Sequence, residues 1–311
     1  MVHIALAGAS SGFGRTLLSH FLQQKKHQIT VLSRSENPSL TALGATVKPV
    51  DYSSVASLKE ALQGVHTLII TLASFDNTFA TSQLNLLEAA KETSVKRFAP
   101  SEYAHPSYDG IDLYQPKKVV WEAVQKSGLE YTKFTCGIFM NGLGTGTPKG
   151  ETEALAGLRP WNFIINMKAG TADVPGDGSV KMAITEINDV CRFIVASLDL
   201  EKWDEESGMV GQSLSCNEIV ATIEKVTNRK MLVKYNSMND MQKGAQDPGR
   251  RFYEQVRMAI ARGEFVVKPT LNEKLPHIRP TSVEEYLERW WSGVELLEAK
   301  WDEDKLFGFE S

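Results

Sequence analysis

The sequence is poor in cysteine. Three occur in 311 residues, Cys136, Cys191 and Cys216, far apart and without a CxxC pair. An odd, scattered set argues against a disulfide framework or a cysteine-based metal site and leaves three small apolar side chains for the core. The six histidines do not fall at metal-ligand spacing either, so no metal is expected. No apolar run reaches the roughly 18 residues of a membrane span. The opening run Val2-His3-Ile4-Ala5-Leu6-Ala7 has no basic leader and ends in glycines, which excludes the signal-peptide pattern. Lysine and arginine (34) are outnumbered by aspartate and glutamate (38) and form no run, so a nucleic-acid surface is not expected. Neither an internal repeat nor a low-complexity tract is present. What remains is a globular composition, 42% hydrophobic and 23% charged, expected in a reducing, cytoplasmic setting.

What is there is an alternation. Apolar runs at 2–7, 28–33, 46–50, 66–72, 96–100 and 131–136 predict strands. Helical patterns lie between them: one from Gly12, with Leu17, Leu18, Phe21 and Leu22 on one side, then 55–63, 78–93 and 116–127. The short connections and near-continuous apolar strands predict right-handed βαβ units around a parallel sheet covered on both faces. The expected fold class is therefore α/β, a Rossmann-type doubly wound parallel sheet followed by a smaller mixed α/β lobe. The division expected is 1–150 for the dinucleotide-binding domain and 151–311 for a substrate-binding lobe, some segments of which return to the first sheet. Residues 137–160, rich in Gly, Pro and Thr, read as a long loop over the sheet's carboxyl edge. Beyond it, 180–185 and 231–235 read as strands, and 188–198, 219–226 and 250–262 as helices. Ser215 with Glu218 and Ser282 with Glu285 have the spacing of capping boxes, the second opening a last helix through Leu297 that would hold Trp290, Trp291 and Trp301.

The sharpest local signal is Gly8-Ala9-Ser10-Ser11-Gly12-Phe13-Gly14, set between the first strand and the first helix. Gly8 allows a tight turn, Gly12 lets backbone approach a pyrophosphate, and Gly14 lets helix and strand pack closely. The helix N-terminus then offers free N–H groups and a positive dipole end to phosphates. Arg34 ends the second strand, where NAD-binding chains usually place an acid, and suits the 2′-phosphate of NADPH; Glu36 nearby keeps NAD open. Asp51 either meets the adenine edge or caps the helix that starts near Ser54. Thr71, Leu72, Ala73 and Ser74 end the fourth strand, along the edge where a cofactor lies.

These residues resemble the short-chain dehydrogenase/reductase superfamily, and more closely its atypical branch of NmrA-like proteins and plant isoflavone, phenylcoumaran benzylic ether and pinoresinol-lariciresinol reductases. The likeness rests on Gly8–Arg15, Val31–Arg34, Val50-Asp51-Tyr52, the run from Lys96 to Tyr103, Gly128-Leu129-Glu130-Tyr131-Thr132, and Gly176-Asp177-Gly178 with Asp189-Val190 and Phe193. One departure stands out. The branch spaces its loop GxxGxxG, whereas this chain has Gly8-x-x-x-Gly12-x-Gly14, as in ordinary short-chain dehydrogenases.

The resemblance implies a functional lysine eleven residues before Gly128, which is Lys117, in the first turn of a helix opened by Pro116. A lysine there can hold the nicotinamide ribose or act as a general acid. A second reading takes Ser101, Tyr114 and Lys118, spaced like the ordinary dehydrogenase triad, although Pro116 separates Tyr114 from Lys118. Pro100, Ser101 and Glu102 follow the fifth strand and should border the nicotinamide. Phe134, Cys136, Gly137 and Phe139 reach the same place from the sixth strand, and His105 lies in the loop nearby. With Ser10, Ser11 and Phe13 of the glycine loop, these complete the candidate site.

The activity implied is transfer of hydride from NADPH to a small aromatic or secondary-metabolite-like molecule. A non-catalytic, NmrA-like dinucleotide sensor and a cofactor-retaining isomerase stay open as alternatives, because a fold does not fix a function. The partners expected are a small-molecule substrate, no nucleic acid and no membrane, with a homodimer left open.

Overall fold

The computed structural model describes residues 1–10, 12–73 and 78–301. The first half alternates strand and helix as β1 His3–Ala7, α1 Gly12–Gln24, β2 Gln28–Ser33, α2 Pro38–Ala42, β3 Thr46–Pro49, α3 Val55–Ala61, β4 Thr67–Ile70, α4 Thr78–Lys91, β5 Arg97–Ala99, α5 Gln115–Gln125 and β6 Glu130–Tyr131. The six strands lie in the order β3-β2-β1-β4-β5-β6, and every neighbouring pair is parallel. This is the doubly wound order with its switch point between β1 and β4, so the crevice for a ligand opens outside the carboxyl ends of those two strands. Residues 4–7 of β1 and all of β4 are buried, as sandwiching between helix layers requires. Gly14, Leu17, Leu18 and Phe21 form the buried stripe of α1, at the i, i+3, i+4, i+7 spacing of one helical face.

The second half adds short sheets. β7 (Lys133–Thr135) pairs with β12 (Glu206–Gly208), and β8 (Ile138–Phe139) pairs with β11 (Lys181–Thr185), which pairs in turn with β13 (Gln212–Ser215). β9 (Ile165–Asn166), β10 (Thr171–Pro175) and β14 (Leu232–Asn236) form a third group. The helices are α6 Glu151–Leu155, α7 Ile187–Ser197, α8 Cys216–Thr227, α9 Met238–Gly244, α10 Pro248–Ala261, α11 Thr270–Lys274 and α12 Val283–Trp291. α7 does not stay with this lobe: Val190, Phe193 and Ile194 share one core with Leu17, Leu18 and Phe21 of α1. A second core joins Met140, Val174, Ile219, Val256, Tyr286 and Trp291. The fold is α/β, a Rossmann-type parallel sheet with a smaller mixed lobe.

Three expectations need correction. The sixth strand is not continuous over 131–136: the main ladder ends as Thr132 N–H donates to the Phe98 carbonyl, and Lys133 N–H turns to Glu205 instead. Residues 137–160 are not a bare loop but carry β8, a 3-10 turn at Met140–Gly144 and α6. The last helix stops at Trp291 rather than at Leu297, because Gly293 takes a left-handed φ of 69° just past it, so Trp301 lies outside the helix. Both capping boxes are present, Ser215 with Glu218 and Ser282 with Glu285. The three cysteines are free and buried.

Candidate active site

The glycine loop is built by close approach. Gly8 has φ 96°, and a Cβ on it would stand 2.6 Å from the Thr71 carbonyl carbon at the end of β4. A Cβ on Gly14 would stand 2.3 Å from both the Gly8 carbonyl oxygen and Thr71 Oγ1. No side chain fits at either place, so the backbone of the β1–α1 turn lies against the switch point itself. Thr71 fixes the seam by donating from its N–H (2.7 Å) and from its hydroxyl (3.0 Å) to the Ala7 carbonyl. Ser10 is exposed at the rim, Leu72 half-buried and Ala73 exposed beyond it. Ser11 and Ser74 lie outside the described residues.

Beside this loop stand two arginines. Arg34 is exposed at the end of β2, and its guanidinium makes no ion pair or hydrogen bond among the described residues. Arg15 follows the last glycine of the motif and reaches across to Ser39 Oγ at 3.4 Å, in the first turn of α2. It was not among the candidate residues, although its place directly after Gly14 was visible. Asp51 does not cap α3; Ser54 does, and the Asp51 carboxylate accepts instead from the N–H and hydroxyl of Ser53 while staying exposed. Those hydrogen bonds hold its carboxyl below the usual range.

At the end of β5 the two lysines part company. Lys117 Nζ donates to the carbonyl oxygens of Ser101 (2.9 Å) and Glu102 (2.6 Å) and lies 5.3 Å from the Tyr114 ring centre. Lys118 is exposed and points away, with no partner among the described residues. α5 opens at Gln115, with Pro116 inside its first turn, and Tyr114 belongs to a 3-10 turn before it. Tyr114 therefore meets Lys117, whereas Lys118 stays exposed. An ammonium has three N–H donors, and two of Lys117's are taken by carbonyls. Burial pushes its pKa down, opposed by Glu102 and Cys136. Glu102 is buried, which raises its carboxyl against the pull of Lys117 and Lys133. Ser101 is tied on every side: its N–H donates to Gln83 Oε1 and its hydroxyl to the Leu72 carbonyl, both at 2.8 Å. Pro100 and Cys136 are enclosed, and burial pushes the Cys136 thiol up to about 12.

Aromatic rings wall the space above. Phe13 of the glycine loop packs on Tyr103 (4.6 Å) and on Phe139 (5.6 Å), and Tyr103 stacks on Phe134 (6.3 Å). Tyr103 holds a left-handed φ of 40° one residue after Glu102. On the lobe side, His105 lies between Phe265 (4.2 Å) and Tyr114 (5.3 Å), and Phe252 stacks on Trp161 (6.4 Å). His105 Nδ1 accepts from the Ser107 N–H at 3.2 Å, which assigns the proton to Nε2, and Nε2 is buried without a partner among the described residues. Burial, with Lys117 and Lys133 beside it, pushes its pKa down to about 4, so the ring is neutral at pH 7. A neutral, buried N–H donor without an acceptor is an unmade hydrogen bond next to the lysine.

The groups of the candidate site thus converge on one edge from β1, β4, β5, α5 and β8. Among the described residues no group of acids, histidines and cysteines could hold a metal ion, and no helix is long and apolar enough to cross a membrane. The chain is 34% identical to the oxidoreductase BOA1 of Botryotinia fuckeliana, covering 74% of this chain and 77% of that protein. It is 28% identical to the oxidoreductase swnN of Metarhizium robertsii, over 94% and 98% of the two chains. Among solved structures it resembles AtPrR2 with NADP+ and (+)-pinoresinol, with a TM-score of 0.76 at 20% identity over 92% and 98% of the chains, a likeness of fold. The model of the NmrA-like family matches residues 2–287, and the chain belongs to that family.

Proposed function

We propose that this protein is an NADPH-dependent reductase of a small, flat, largely apolar molecule of the aromatic, secondary-metabolite type. The observation that carries the reading is Lys117: a buried amine held by two backbone carbonyls at the carboxyl edge of the sheet, next to a glycine loop that no side chain could fill. The dinucleotide would lie across that loop, its pyrophosphate on the first amides of α1 and its 2′-phosphate between Arg34 and Arg15. Bound NADPH supplies the hydride. Lys117 holds the nicotinamide ribose or donates a proton to the substrate oxygen through its third N–H, and His105 Nε2–H steadies the same oxygen as a neutral donor. Tyr114, Phe252 and Trp161 face aromatic rings of the substrate, as the stacked and tilted pairs among them suggest. The relatives named oxidoreductases support the class of reaction, and the pinoresinol bound to the structural neighbour supports an aromatic substrate.

A cytoplasmic setting goes with three buried free thiols. A homodimer would form along the free edge of β14, where Leu232 and Tyr235 are exposed, and sedimentation would read it.

The test has two arms. NADPH and NADH binding, followed by nicotinamide fluorescence, should give a preference for NADPH that Arg34→Ala reduces by at least tenfold. In a panel of aromatic ketones, enones and benzylic ethers, Lys117→Ala should lower kcat/KM by roughly 10²–10⁴-fold, as loss of a proton-transfer group does, while Lys118→Ala stays within twofold. Full turnover in Lys117→Ala would overturn the assignment. Tight NADPH binding with no reduction across the panel would point to a dinucleotide sensor.

A further inference from the structure

We propose that Ala156 and Gly157, which belong to the segment after α6 and not to the dinucleotide half, clamp the cofactor's pyrophosphate loop and set its shape. This rests on the reading of Gly8–Gly14 as a dinucleotide site. α6 ends in two successive left-handed residues, Ala156 with φ 46° and Gly157 with φ 94°. That pair turns the chain back and lays its backbone on Gly12. A Cβ at position 157 would stand 2.6 Å from the Gly12 carbonyl oxygen, 2.8 Å from its carbon and 3.2 Å from its Cα, so only glycine closes this contact. The clamp is latched from the other side, where Thr16 Oγ1, one turn into α1, donates to the Ala156 carbonyl at 2.6 Å.

The peptide bond is planar, so the Gly12 carbonyl and the Phe13 N–H point in opposite directions along one rigid unit. Whatever fixes the carbonyl also aims the N–H. Phe13 N–H is one of the amides that a helix leaves unpaired in its first turn. Gly157 therefore acts as a positioning residue through Gly12, and the left-handed Gly12 (φ 61°) of the unusual Gly8-x-x-x-Gly12-x-Gly14 spacing is the place where the clamp lands.

The clamp also reaches the substrate lobe. The Ala154 carbonyl, within α6, accepts from Asn141 Nδ2 at 2.8 Å and from the Tyr286 hydroxyl of α12 at 2.7 Å. The C-terminal end of α6 is thus held by the lobe through Ala154 and, two to three residues on, holds the cofactor loop.

The experiment compares wild type, Gly157→Ala and Thr16→Val for two ligands, NADPH and adenosine 2′-monophosphate, which carries the 2′-phosphate but no pyrophosphate. Gly157→Ala should raise the NADPH dissociation constant at least tenfold and Thr16→Val several-fold, while the affinity for adenosine 2′-monophosphate stays within twofold in both. Circular dichroism checks that each variant is folded; should Gly157→Ala fail to fold, Thr16→Val decides by the same criterion. NADPH binding unchanged in the folded variants would overturn the clamp. So would an equal loss of both ligands, which marks general loosening. Failure of the wild type to bind NADPH would overturn the dinucleotide reading itself, and the clamp with it.

Discussion

At the scale of single residues, chemistry here is set by what burial leaves unpaired. His105 is 2% exposed, its Nδ1 is occupied by a backbone N–H, and its Nε2 has no partner among the described residues. Its pKa falls from 6.5 to about 4, first through desolvation and then through Lys117, Lys133 and Arg262. The sign follows directly. The native state keeps this ring neutral, while the unfolded chain takes up a proton near pH 6.5. Stability is unaffected above that pH, falls as pH drops from 6.5 toward 4, and loses no more from this group below. The whole loss is on the order of 3 kcal/mol at most. His105→Gln removes the titration, so urea midpoints across pH 4–7.5 should show a shallower acid slope in the variant whatever its absolute stability. An unchanged slope would show that the ring is not held neutral.

Lys117 and Lys118 show what a sequence tells at this scale and what it does not. The motif around Pro100-Ser101-Glu102 and the helix opened near Pro116 were legible, and so was the need for one lysine there. Which of two adjacent lysines turns inward depends on where α5 begins, and helix starts are uncertain by a residue or two. One residue rotates a side chain by about 100° around a helix, which separates an amine on two carbonyls from one in solvent. Arg15 was missed for another reason: its proximity to Ser39 is a contact across the loop, invisible to local pattern.

Among elements, those with strong periodicity were legible and those held by distant contacts were not. The parallel strands read as apolar runs because both faces are covered. The split of the sixth strand into β6 and β7 is dictated by a partner, β12, some 70 residues later, and no local signal announces it. α6 is five residues long, ends in left-handed residues and is pinned by Asn141 and Tyr286, so composition alone reads it as loop. α12 is the opposite case, its start written in the sequence. Ser282 Oγ accepts from the Glu285 N–H at 3.1 Å, and Glu285 accepts from the Ser282 N–H at 2.8 Å. This box orients the helix that carries Tyr286 and Trp291, both 1% exposed, into the lobe core. Ser282→Ala should cost about 1 kcal/mol, as loss of a helix N-cap does. Equilibrium urea unfolding measures it, and a midpoint indistinguishable from wild type would mean that tertiary packing alone fixes α12.

For the whole molecule, the cofactor half and the lobe are stabilised by different means. The dinucleotide half relies on apolar layers around the sheet, with Leu6, Leu17, Leu18, Phe21 and Ile69 closed from solvent. The lobe adds a buried charge cluster to an apolar core of its own. Arg257, 1% exposed, pairs with Asp173 Oδ2 (3.1 Å) on β10 and Glu254 Oε2 (2.8 Å) on its own helix. Tyr253 and Asn236 also donate to Asp173, tying α10, β10 and β14 together. Yet Arg257 Nε and Nη2 remain buried without partners among the described residues, so the cluster is only partly satisfied. Charges taken out of water in this way cost several kcal/mol each, and their attraction returns that only with full hydrogen bonding. Two outcomes are therefore expected. Arg257→Met leaves Asp173 without a buried cation and Glu254 with Arg250 alone, and should lower stability by about 3–5 kcal/mol. Replacing the triad together, Arg257→Met with Asp173→Leu and Glu254→Leu, should recover part of that loss, because it removes the buried charges, although Tyr253 and Asn236 give up Asp173 as an acceptor and Arg250 gives up Glu254. NADPH affinity should stay within a few-fold in the folded triple variant, since none of the three residues touches the glycine loop or Lys117. Urea unfolding and NADPH titration on the same preparations decide it. A triple variant less stable than Arg257→Met alone would mean that the network, half satisfied as it is, specifies how β10 and β14 pair and is kept for that reason.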